Sequence, residues 1–186
     1  ISSYILDFIL GNVEREHRCR IGNKSSFDEL DLQLTEYGSK FIDKYGYPFC
    51  RGRIFSKLEE DHGQYNDVKE IFWATGACLF IKKEVVMALN GFDEDYFAHQ
   101  EEIDLCWRAK NRGFKVFYIG DSAVYHLGGS TLNSMNPKKT FLNFRNSLYS
   151  LVKNLPARKV FPIVLMRLIL DGLAGINFII NGRFRH

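Results

Sequence analysis

Three acidic residues, Glu101, Glu102 and Asp104, stand within four positions at the predicted start of a helix. Like charges this close repel one another, and the free N–H groups and dipole of a helix N-terminus partly offset that repulsion. Asp104 and Arg108 are four residues apart and can form an ion pair, which gives Asp104 a partly structural role. Glu102 has no such local cation, so its carboxylate is a candidate general base. A helix start that merely carries acids is the alternative, and the residues alone favour it.

A histidine and a pair of aspartates are candidate metal ligands. His126 ends a predicted strand and precedes Gly128 and Gly129, which let a ligand approach the backbone. A histidine in that place can bind a metal ion or a phosphate, and a half-buried histidine bonded to the backbone is the alternative. Asp93 and Asp95 match an Asp-x-Asp pattern that holds divalent cations through carboxylate oxygens. Turn formation and capping explain them more simply.

Aromatic and basic residues are candidates for ligand binding. Trp73 stands beside Thr75, Gly76 and Ala77. An indole next to small residues can stack on the C–H face of a sugar ring, and core packing is the alternative for a lone tryptophan. Four side chains on a predicted long helix can meet phosphate, although such groups are more often solvated or bonded to neighbouring loops. They are Lys138, Lys139, Arg145 and Asn146.

The helices and strands that must position these side chains can be predicted from residue 71 onward. Apolar runs, helix caps and Gly or Pro breaks define them. Gly76 is expected to mark a bend or a close backbone approach. The pattern predicts strands at 71–72, 77–81, 115–119 and 123–126, and helices at 83–89 (closed by Asn90 and Gly91), 101–111, 137–154 (capped by Asn136) and 160–180, the last in one piece or broken at Gly172 or Gly175. Residues 41–65 read as an ordered loop with short turns.

Length and composition narrow the classes of protein. The chain has 186 residues, 46% of them hydrophobic and 25% charged, which excludes global disorder. A net charge of +3 is too weak to indicate a nucleic-acid binder. The four widely spaced cysteines predict neither a zinc ribbon nor a disulfide scaffold, but unpaired thiols in a reducing compartment. No signal peptide is recognisable, and Arg167 and Asp171 interrupt the apolar stretch at 160–180, which argues against a membrane-spanning helix.

Several blocks, read in order, resemble the second half of family 2 glycosyltransferases, in particular the bacterial rhamnosyltransferase-like branch. Six ordered blocks at family-like spacing are far more specific than any block alone. They are ATGACLFI at 74–81, GFDE at 91–94, FAHQEEIDLCWR at 97–108, GFKV at 113–116, VYH at 124–126 and NFRN at 143–146. The stretch YGYPFCRGR at 45–53 is similar to a preceding loop in a subset of those enzymes, so the resemblance covers about 41–156.

This resemblance implies an α/β fold of the GT-A type, a Rossmann-like sheet with helices on both sides. The chain would carry the C-terminal, acceptor-side part of that domain, followed by apolar helices. We therefore expect a poorly readable N-terminal segment at 1–40, the acceptor-side half at 41–135 and C-terminal helices at 136–186. The nucleotide-binding half, with its own Asp-x-Asp, has little room before residue 41, so a longer protein is expected and the isolated chain should be inactive. Asp93 and Asp95 then fall on a turn and not on the metal site.

The resemblance also assigns roles. Glu102 falls on the general base, with Glu101 and Asp104 beside it, although the family more often has Asp at that position. His126 falls on a histidine that helps hold a divalent cation, Mg²⁺ or Mn²⁺. The segment that shapes the acceptor side corresponds to Trp73, Thr75, Gly76 and Ala77. The implied reaction is metal-dependent, inverting transfer of a sugar from a nucleotide-sugar to an acceptor hydroxyl.

The implied partners are a UDP- or dTDP-sugar and a glycan or lipid-linked acceptor, as in bacterial cell-envelope polysaccharide synthesis, with no nucleic acid. A cytoplasmic location follows, with peripheral contact at the inner face of the membrane through 160–180. Packing of that helix on the absent half or on a partner is weighed equally. A non-catalytic glycosyltransferase-like binding or assembly module is the alternative function. A carboxylate-pair hydrolase is a weaker one, since no second acid opposite Glu102 is identifiable.

Overall fold

The computed structural model describes residues 40–54, 57–120 and 137–180. Within these ranges the chain forms short strands, two single 3₁₀ turns (Gly76–Cys78 and Glu94–Tyr96) and four α-helices. The strands are β1 (Lys40–Ile42), β2 (Pro48–Cys50), β3 (Arg53–Ile54), β4 (Lys57–Leu58), β5 (Val68–Ile71) and β6 (Val116–Ile119). The helices are α1 (Lys83–Ala88), α2 (Glu101–Asn111), α3 (Pro137–Asn154) and α4 (Ala157–Ile180).

The described strands pair antiparallel in three two-stranded sheets, β1 with β2, β3 with β4 and β5 with β6. In the β5–β6 pair the register runs from Val68 opposite Ile119 to Ile71 opposite Val116. An isolated bridge between Lys40 and Trp73 joins β1 to the chain that follows β5. These contacts place the start of the described chain beside the segment that precedes α1.

The turn between β1 and β2 depends on Asp43 and Gly46. The Asp43 carboxylate accepts hydrogen bonds from the backbone N–H groups of Tyr45 and Tyr47, both at 2.8 Å. Gly46 has a φ of +83°, and a Cβ at this position would overlap the side chain of Leu151 on α3. Glycine therefore permits both the turn and its close approach to α3.

Helix α2 lies between two apolar clusters, which together form the described core. One cluster joins α2 to α1 and contains Val85, Leu89, Leu105 and Ala109. The other joins α2 to the β5–β6 pair and contains Ile71, Trp73, Ile103, Cys106 and Val116. Burial on two sides fixes both the position and the rotation of α2, so the acidic residues of its first turn are held rigidly.

Helix α3 packs against α2 through polar groups. Asn154 donates from Nδ2 to the Asp104 carboxylate at 2.8 Å, and Asn111 donates to the Asn154 carbonyl at 2.9 Å. The Tyr96 hydroxyl lies 2.9 Å from Ser150 Oγ in the same interface. Buried polar pairs of this kind specify one arrangement of the two helices, because any other would leave the groups unpaired.

Most of the predicted elements in the described ranges are confirmed. α1, α2, α3 and β6 form at the expected places, and Asn90 and Gly91 close α1 with φ angles of 58° and 68°. Residues 41–65, predicted as a loop, contain β2 to β4 as well as turns. The predicted strand at 123–126 and the cap Asn136 lie outside the described residues.

The predicted strand at 77–81 is wrong. The chain forms a 3₁₀ turn at Gly76–Cys78 and then an extended approach to α1. Leu79 and Ile81 are apolar because they pack on the α1–α2 cluster, not because they alternate across a sheet. Of the two alternatives for Gly76, the bend is confirmed and the close approach is not, because Gly76 begins the 3₁₀ turn and has open space around the position of a Cβ.

Of the two alternatives for residues 160–180, the single helix is confirmed: α4 is continuous through Gly172 and Gly175, since a glycine costs only about 1 kcal/mol in a helix interior. One further expectation needs correction. Cys78 is disulfide-bonded, whereas Cys50 and Cys106 are free. The prediction of unpaired thiols is therefore wrong at Cys78.

Candidate functional site

A strained loop leads into the acidic first turn of α2. Phe97, His99 and Gln100 have φ angles of 61°, 69° and 72°, in the left-handed region that residues with a side chain seldom adopt. Each such residue costs of the order of 1 kcal/mol or more, and the surrounding structure must impose it. Because residues held in this way cluster at functional sites, the loop at 96–100 and the carboxylates that follow it form a candidate functional site.

The loop is held by Asn146 of α3. The Asn146 side chain is fully buried, and its Nδ2 donates to the carbonyls of Tyr96, Ala98 and His99 at 3.0, 2.9 and 2.7 Å. An amide has two hydrogens for these three carbonyls, so at least one hydrogen is shared. Arg145 Nε donates to Asn146 Oδ1 at 2.8 Å, which orients the amide with its NH₂ group toward the loop.

Arg145 also contacts the loop directly. Its Nη2 donates to the carbonyls of Asp95 and Tyr96 at 2.8 and 3.1 Å. Arg145 and Asn146 therefore bind four of the five consecutive carbonyls from Asp95 to His99. The sequence is compatible with Arg145 and Asn146 as phosphate contacts or as partners of neighbouring loops, and the structure supports the second interpretation.

Glu102 lies in the first turn of α2 and is mostly buried. Burial, and secondarily the neighbouring Glu101 carboxylate, raise the pKa of Glu102 to about 7, while Lys40 acts in the opposite direction. The Lys40 side chain is itself buried, with its ammonium 4.8 Å from the centre of the Trp73 ring. Sequence reasoning missed Lys40 because it stands alone in a segment without readable periodicity, 62 positions before Glu102.

Two polar atoms beside Glu102 have unfilled hydrogen-bonding capacity. Within the described residues, Glu101 Oε2 and His99 Nε2 are buried without a hydrogen-bond partner. Burial, together with the positive charge of Lys139, lowers the pKa of His99, so the imidazole is neutral at pH 7. A neutral imidazole nitrogen and a carboxylate oxygen can receive polar groups of a ligand at this place.

Asp104 is a structural residue in this arrangement. Its carboxylate is fully buried and is bonded to Arg108 Nε at 2.7 Å, to Lys153 Nζ at 3.0 Å and to Asn154 Nδ2 at 2.8 Å. The predicted pairing of Asp104 with Arg108 is thus confirmed. Arg108 in turn donates to the carbonyls of Leu89 and Gly91 after α1. Asp104 therefore connects α2 to α3 and, through Arg108, to α1.

The predicted acceptor segment packs against α2. Trp73 is 8% exposed within the β5–β6 cluster, and its indole N–H donates to the Phe41 carbonyl at 3.0 Å. This burial favours core packing over stacking on a sugar. The backbone N–H of Ala74 points to Cys106 Sγ at 3.5 Å, one helical turn beyond Glu102. Thr75 is half-buried and Gly76 exposed, while Ala77 lies in the 3₁₀ turn.

The part of the chain that the structure describes has no cluster of metal-ligating side chains. It contains no group of three or more His, Cys, Asp or Glu side chains that could hold a divalent metal ion. Asp93 binds Lys153 at 2.6 Å and caps the 3₁₀ turn by accepting from the Asp95 N–H, and Asp95 accepts from the Tyr149 hydroxyl at 3.2 Å. These aspartates serve turn formation and docking of α3, as the simpler interpretation has it. His126 lies outside the described residues.

Curated relatives match part of the chain. An N-acetylglucosaminyl-diphospho-decaprenol L-rhamnosyltransferase of Mycobacterium tuberculosis (strain H37Rv) is 31% identical over 58 residues, which is 31% of this chain and 19% of the relative. Rhamnosyltransferase WbbL of Escherichia coli (strain K12) is 34% identical over 47 residues, 25% of this chain and 18% of the relative. The match thus spans less than a fifth of each relative's length. No family model and no solved structure matches. These partial similarities support a relationship to glycosyltransferases.

Proposed function

We propose that the chain is the acceptor-side part of an inverting glycosyltransferase in which Glu102 is the general base. The observation that carries this proposal is the placement of the Glu102 carboxyl group, which lies largely buried beside Glu101 in the first turn of a rigid helix, next to a strained loop; this placement raises its pKa to about 7. A general base works best when its pKa lies near the working pH, because it must be ionised and still accept a proton readily. An ordinary exposed glutamate, with a pKa of about 4.5, is a much weaker base.

The proposed step is a single displacement. The Glu102 carboxylate takes the proton of an acceptor hydroxyl while that oxygen forms a bond to the anomeric carbon of the donor sugar. The bond from this carbon to the nucleotide diphosphate breaks, and its electron pair leaves with the diphosphate. Attack opposite the leaving group inverts the anomeric carbon, so base and leaving group belong on opposite faces of the sugar.

Glu101, His99 and Asp104 have supporting roles in this proposal. The buried Glu101 Oε2 and His99 Nε2 are suited to orient acceptor hydroxyls: within the described chain neither has a partner, the carboxylate oxygen can accept a hydrogen bond, and the imidazole nitrogen can accept or donate one according to its tautomer. Asp104 positions α2 through its bonds to α3 and is not expected to touch the substrate. Metal dependence with Mg²⁺ or Mn²⁺ stays a prediction from the resemblance, and no part of the step at Glu102 requires it.

The substrates are proposed from the relatives. The mycobacterial relative is named for transfer of L-rhamnose to a decaprenol-linked acceptor. We therefore expect a nucleotide-sugar donor of the UDP or dTDP type and a glycan or lipid-linked acceptor. The match covers too little of each relative to carry the identity of the sugar.

The test compares substitutions at Glu102 in the complete protein, assayed with dTDP- and UDP-sugars and lipid-linked acceptors. Glu102→Gln keeps the shape of the side chain but removes its basicity, and we expect kcat to fall about 10²- to 10⁴-fold. Glu102→Asp should keep part of the activity with the carboxylate drawn back. In the wild type, kcat should rise with pH through about 7, because only the ionised carboxylate accepts a proton.

Glu84→Gln is the matched control, since Glu84 is an exposed acid in the first turn of α1. It should retain wild-type activity. Near wild-type transfer by Glu102→Gln would refute the base assignment. Binding of the nucleotide-sugar without transfer to any acceptor would instead favour the non-catalytic module.

A further inference from the structure

Beyond its first turn, helix α4 has its charged residues turned toward the protein body. Between residues 160 and 180 the charged residues are Arg167 and Asp171, one helical turn apart. Arg167 is 1% exposed, and its guanidinium stacks 3.7 Å from the centre of the Tyr47 ring. It donates to Ser147 Oγ of α3 at 2.9 Å and pairs with Asp171 at 3.3 Å. The Tyr47 hydroxyl donates to Asp171 at 2.6 Å, which completes the network.

Outside this network, the described side chains between residues 160 and 180 are almost all apolar, and most of them are exposed. Ala157–Asn177 has a mean hydropathy of 1.6, and by length and composition alone it is long and apolar enough to cross a membrane. Nine large apolar side chains on α4 are at least 39% exposed. They are Phe161, Leu165, Met166, Leu168, Ile169, Leu173, Ile176, Ile179 and Ile180. A soluble surface helix shows the opposite pattern, with the apolar stripe inward and the polar face in water.

We propose that α4 lies in the plane of a lipid bilayer, with its outward apolar face in the boundary between headgroups and acyl chains. Helices of this kind bury their apolar side about 5–10 Å deep. The inward face, with Arg167 and Asp171, stays on the protein. This proposal concerns where the protein resides and does not depend on the role of Glu102.

The anchoring contacts decide between lying on the membrane and crossing it. Arg167 is close to the middle of the 24-residue helix, and there it touches the Tyr45 carbonyl, the Tyr47 ring and Ser147. A spanning orientation would carry these polar groups and the adjoining part of α3 to the centre of the bilayer. Buried peptide and charged groups are costly at that depth. An in-plane orientation keeps all of them at or above the headgroups.

The charges around α4 favour binding of its apolar face to a lipid surface over binding to a second copy of the chain. Arg158 and Lys159 are exposed at its first turn, and the sequence continues after it with Arg183 and Arg185. From residue 155 to 186 the sole acidic residue is Asp171, which is committed to Arg167. Basic ends around an apolar face are complementary to an anionic membrane surface. Two such helices facing each other would bring like charges together with no acid to pair them.

The test is co-sedimentation of the complete protein with vesicles of phosphatidylcholine, with and without phosphatidylglycerol. We expect binding to both and tighter binding to the anionic vesicles, with the difference reduced by salt. Leu168→Glu combined with Leu173→Glu should weaken binding at least about tenfold, because two exposed apolar contacts are replaced by charges. Met87→Glu is the matched control: Met87 is 67% exposed on α1, and its substitution should leave binding unchanged.

Two readouts separate the alternatives. Alkaline carbonate should release the protein from membranes; retention would show that α4 spans the bilayer and would overturn the in-plane proposal. Light scattering reports a second copy: if the wild type is a dimer that ignores vesicles, and the Leu168→Glu, Leu173→Glu variant is a monomer, the apolar face is a dimer interface and the lipid proposal is wrong. Circular dichroism checks that the variant is folded.

Discussion

Burial and the neighbouring Glu101 carboxylate both raise the pKa of Glu102. Together they raise it from an ordinary value of 4.5 to about 7. A folded state that holds its proton more tightly than the unfolded chain is stabilised at low pH, and this stability is lost as pH rises from about 4.5 to about 7. A shift of this size is worth up to about 3 kcal/mol.

Glu102→Gln should therefore stabilise the protein at high pH only. Above pH 7.5 the wild type must bury a charge that the amide does not carry. The free energy of unfolding of the variant should therefore exceed that of the wild type by as much as about 3 kcal/mol, and its unfolding midpoint should lie at a higher urea concentration. At pH 4, where Glu102 is mostly protonated in both states, the two proteins should differ little in stability. Urea titrations at pH 4 and pH 8 measure the difference.

The matched control for this stability measurement is again Glu84→Gln, which removes an exposed charge. At pH 4 and at pH 8 its stability should equal that of the wild type at the same pH. A gain from Glu102→Gln that is equal at pH 4 and pH 8 would contradict the burial of an ionisable Glu102. Loss of activity together with a gain in stability is the expected signature of a functional carboxylate held in an unfavourable place.

Spacing in the sequence distinguished Glu102 from Asp104, because Asp104 has a cation four residues on and Glu102 has none, but it did not by itself favour a catalytic role over a helix start that merely carries acids. It was insufficient for Lys40 and Trp73. The proximity of Lys40 to α2 arises from the pairing of β1 with the chain after β5, a contact between residues far apart in sequence. Trp73 sits beside small residues in the sequence, but tertiary packing places it in the core.

At the scale of elements, the loop at 96–100 and helix α3 form one unit. The loop carries three left-handed residues, and α3 supplies the hydrogen bonds that outweigh their conformational cost. α2 begins directly after the loop, so any relaxation of the loop moves the first turn of α2 and with it Glu102. This makes Asn146 a positioning residue, which acts on the reaction through the loop.

Asn146→Ala should lower kcat while KM changes little. The substitution leaves buried carbonyls unpaired, and we expect a loss of about 1–3 kcal/mol in the free energy of unfolding. A displacement of a base by about 1 Å can cost 10²-fold in rate, so kcat should fall by about that factor. The apparent pKa in the kcat–pH profile should also move below about 7 as the loosened loop admits water to Glu102. Steady-state kinetics over a pH series measures both effects.

Asn143→Ala, one turn earlier on α3, is the control and should leave kcat and its pH profile unchanged. Asn146→Asp replaces the donating NH₂ by an accepting oxygen of the same shape, so it should be at least as harmful as alanine. Reduced stability with an unaltered pH profile and kcat would show that Asn146 supports the fold alone.

Helices with strong end signals were predictable from sequence, and short apolar runs were not. α2 and α3 have clear periodicity, and Asn90 with Gly91 ends α1 as local chemistry dictates. Residues 77–81 have the apolar content of a strand, but a run this short satisfies a loop packed on a helix equally well. Paired strands depend on partners that no local pattern contains, which is why β2 to β4 were not foreseen.

At the scale of the whole molecule, α4 is attached to the body by a buried ion pair. Arg167 and Asp171 interrupt the apolar run, and in the sequence they argue against a membrane-spanning helix. The structure gives these residues another role, since both bind the body through Tyr47 and leave the outward surface of α4 apolar. Charges in an apolar helix therefore have to be assigned to a face before they exclude a membrane.

Arg167→Met should destabilise the docking of α4 more than removal of both charges. Loss of the guanidinium leaves Asp171 buried without its cation, and breaking a buried pair in this way costs about 3–5 kcal/mol. The double variant Arg167→Met, Asp171→Leu removes the uncompensated charge and should recover part of the loss, because apolar replacement of a buried pair is often close to neutral. Urea unfolding of the two variants, with hydrogen exchange along α4, measures the difference.

The same pair of variants separates docking from membrane binding. Neither substitution alters the outward face, so the double variant should bind anionic vesicles as the wild type does, whereas the Leu168→Glu, Leu173→Glu variant should not. If Arg167→Met is as stable as the wild type, the network around Tyr47 does not hold α4 in place. The body would then be free to tilt relative to α4, and the contacts that argue for an in-plane helix would no longer constrain its orientation.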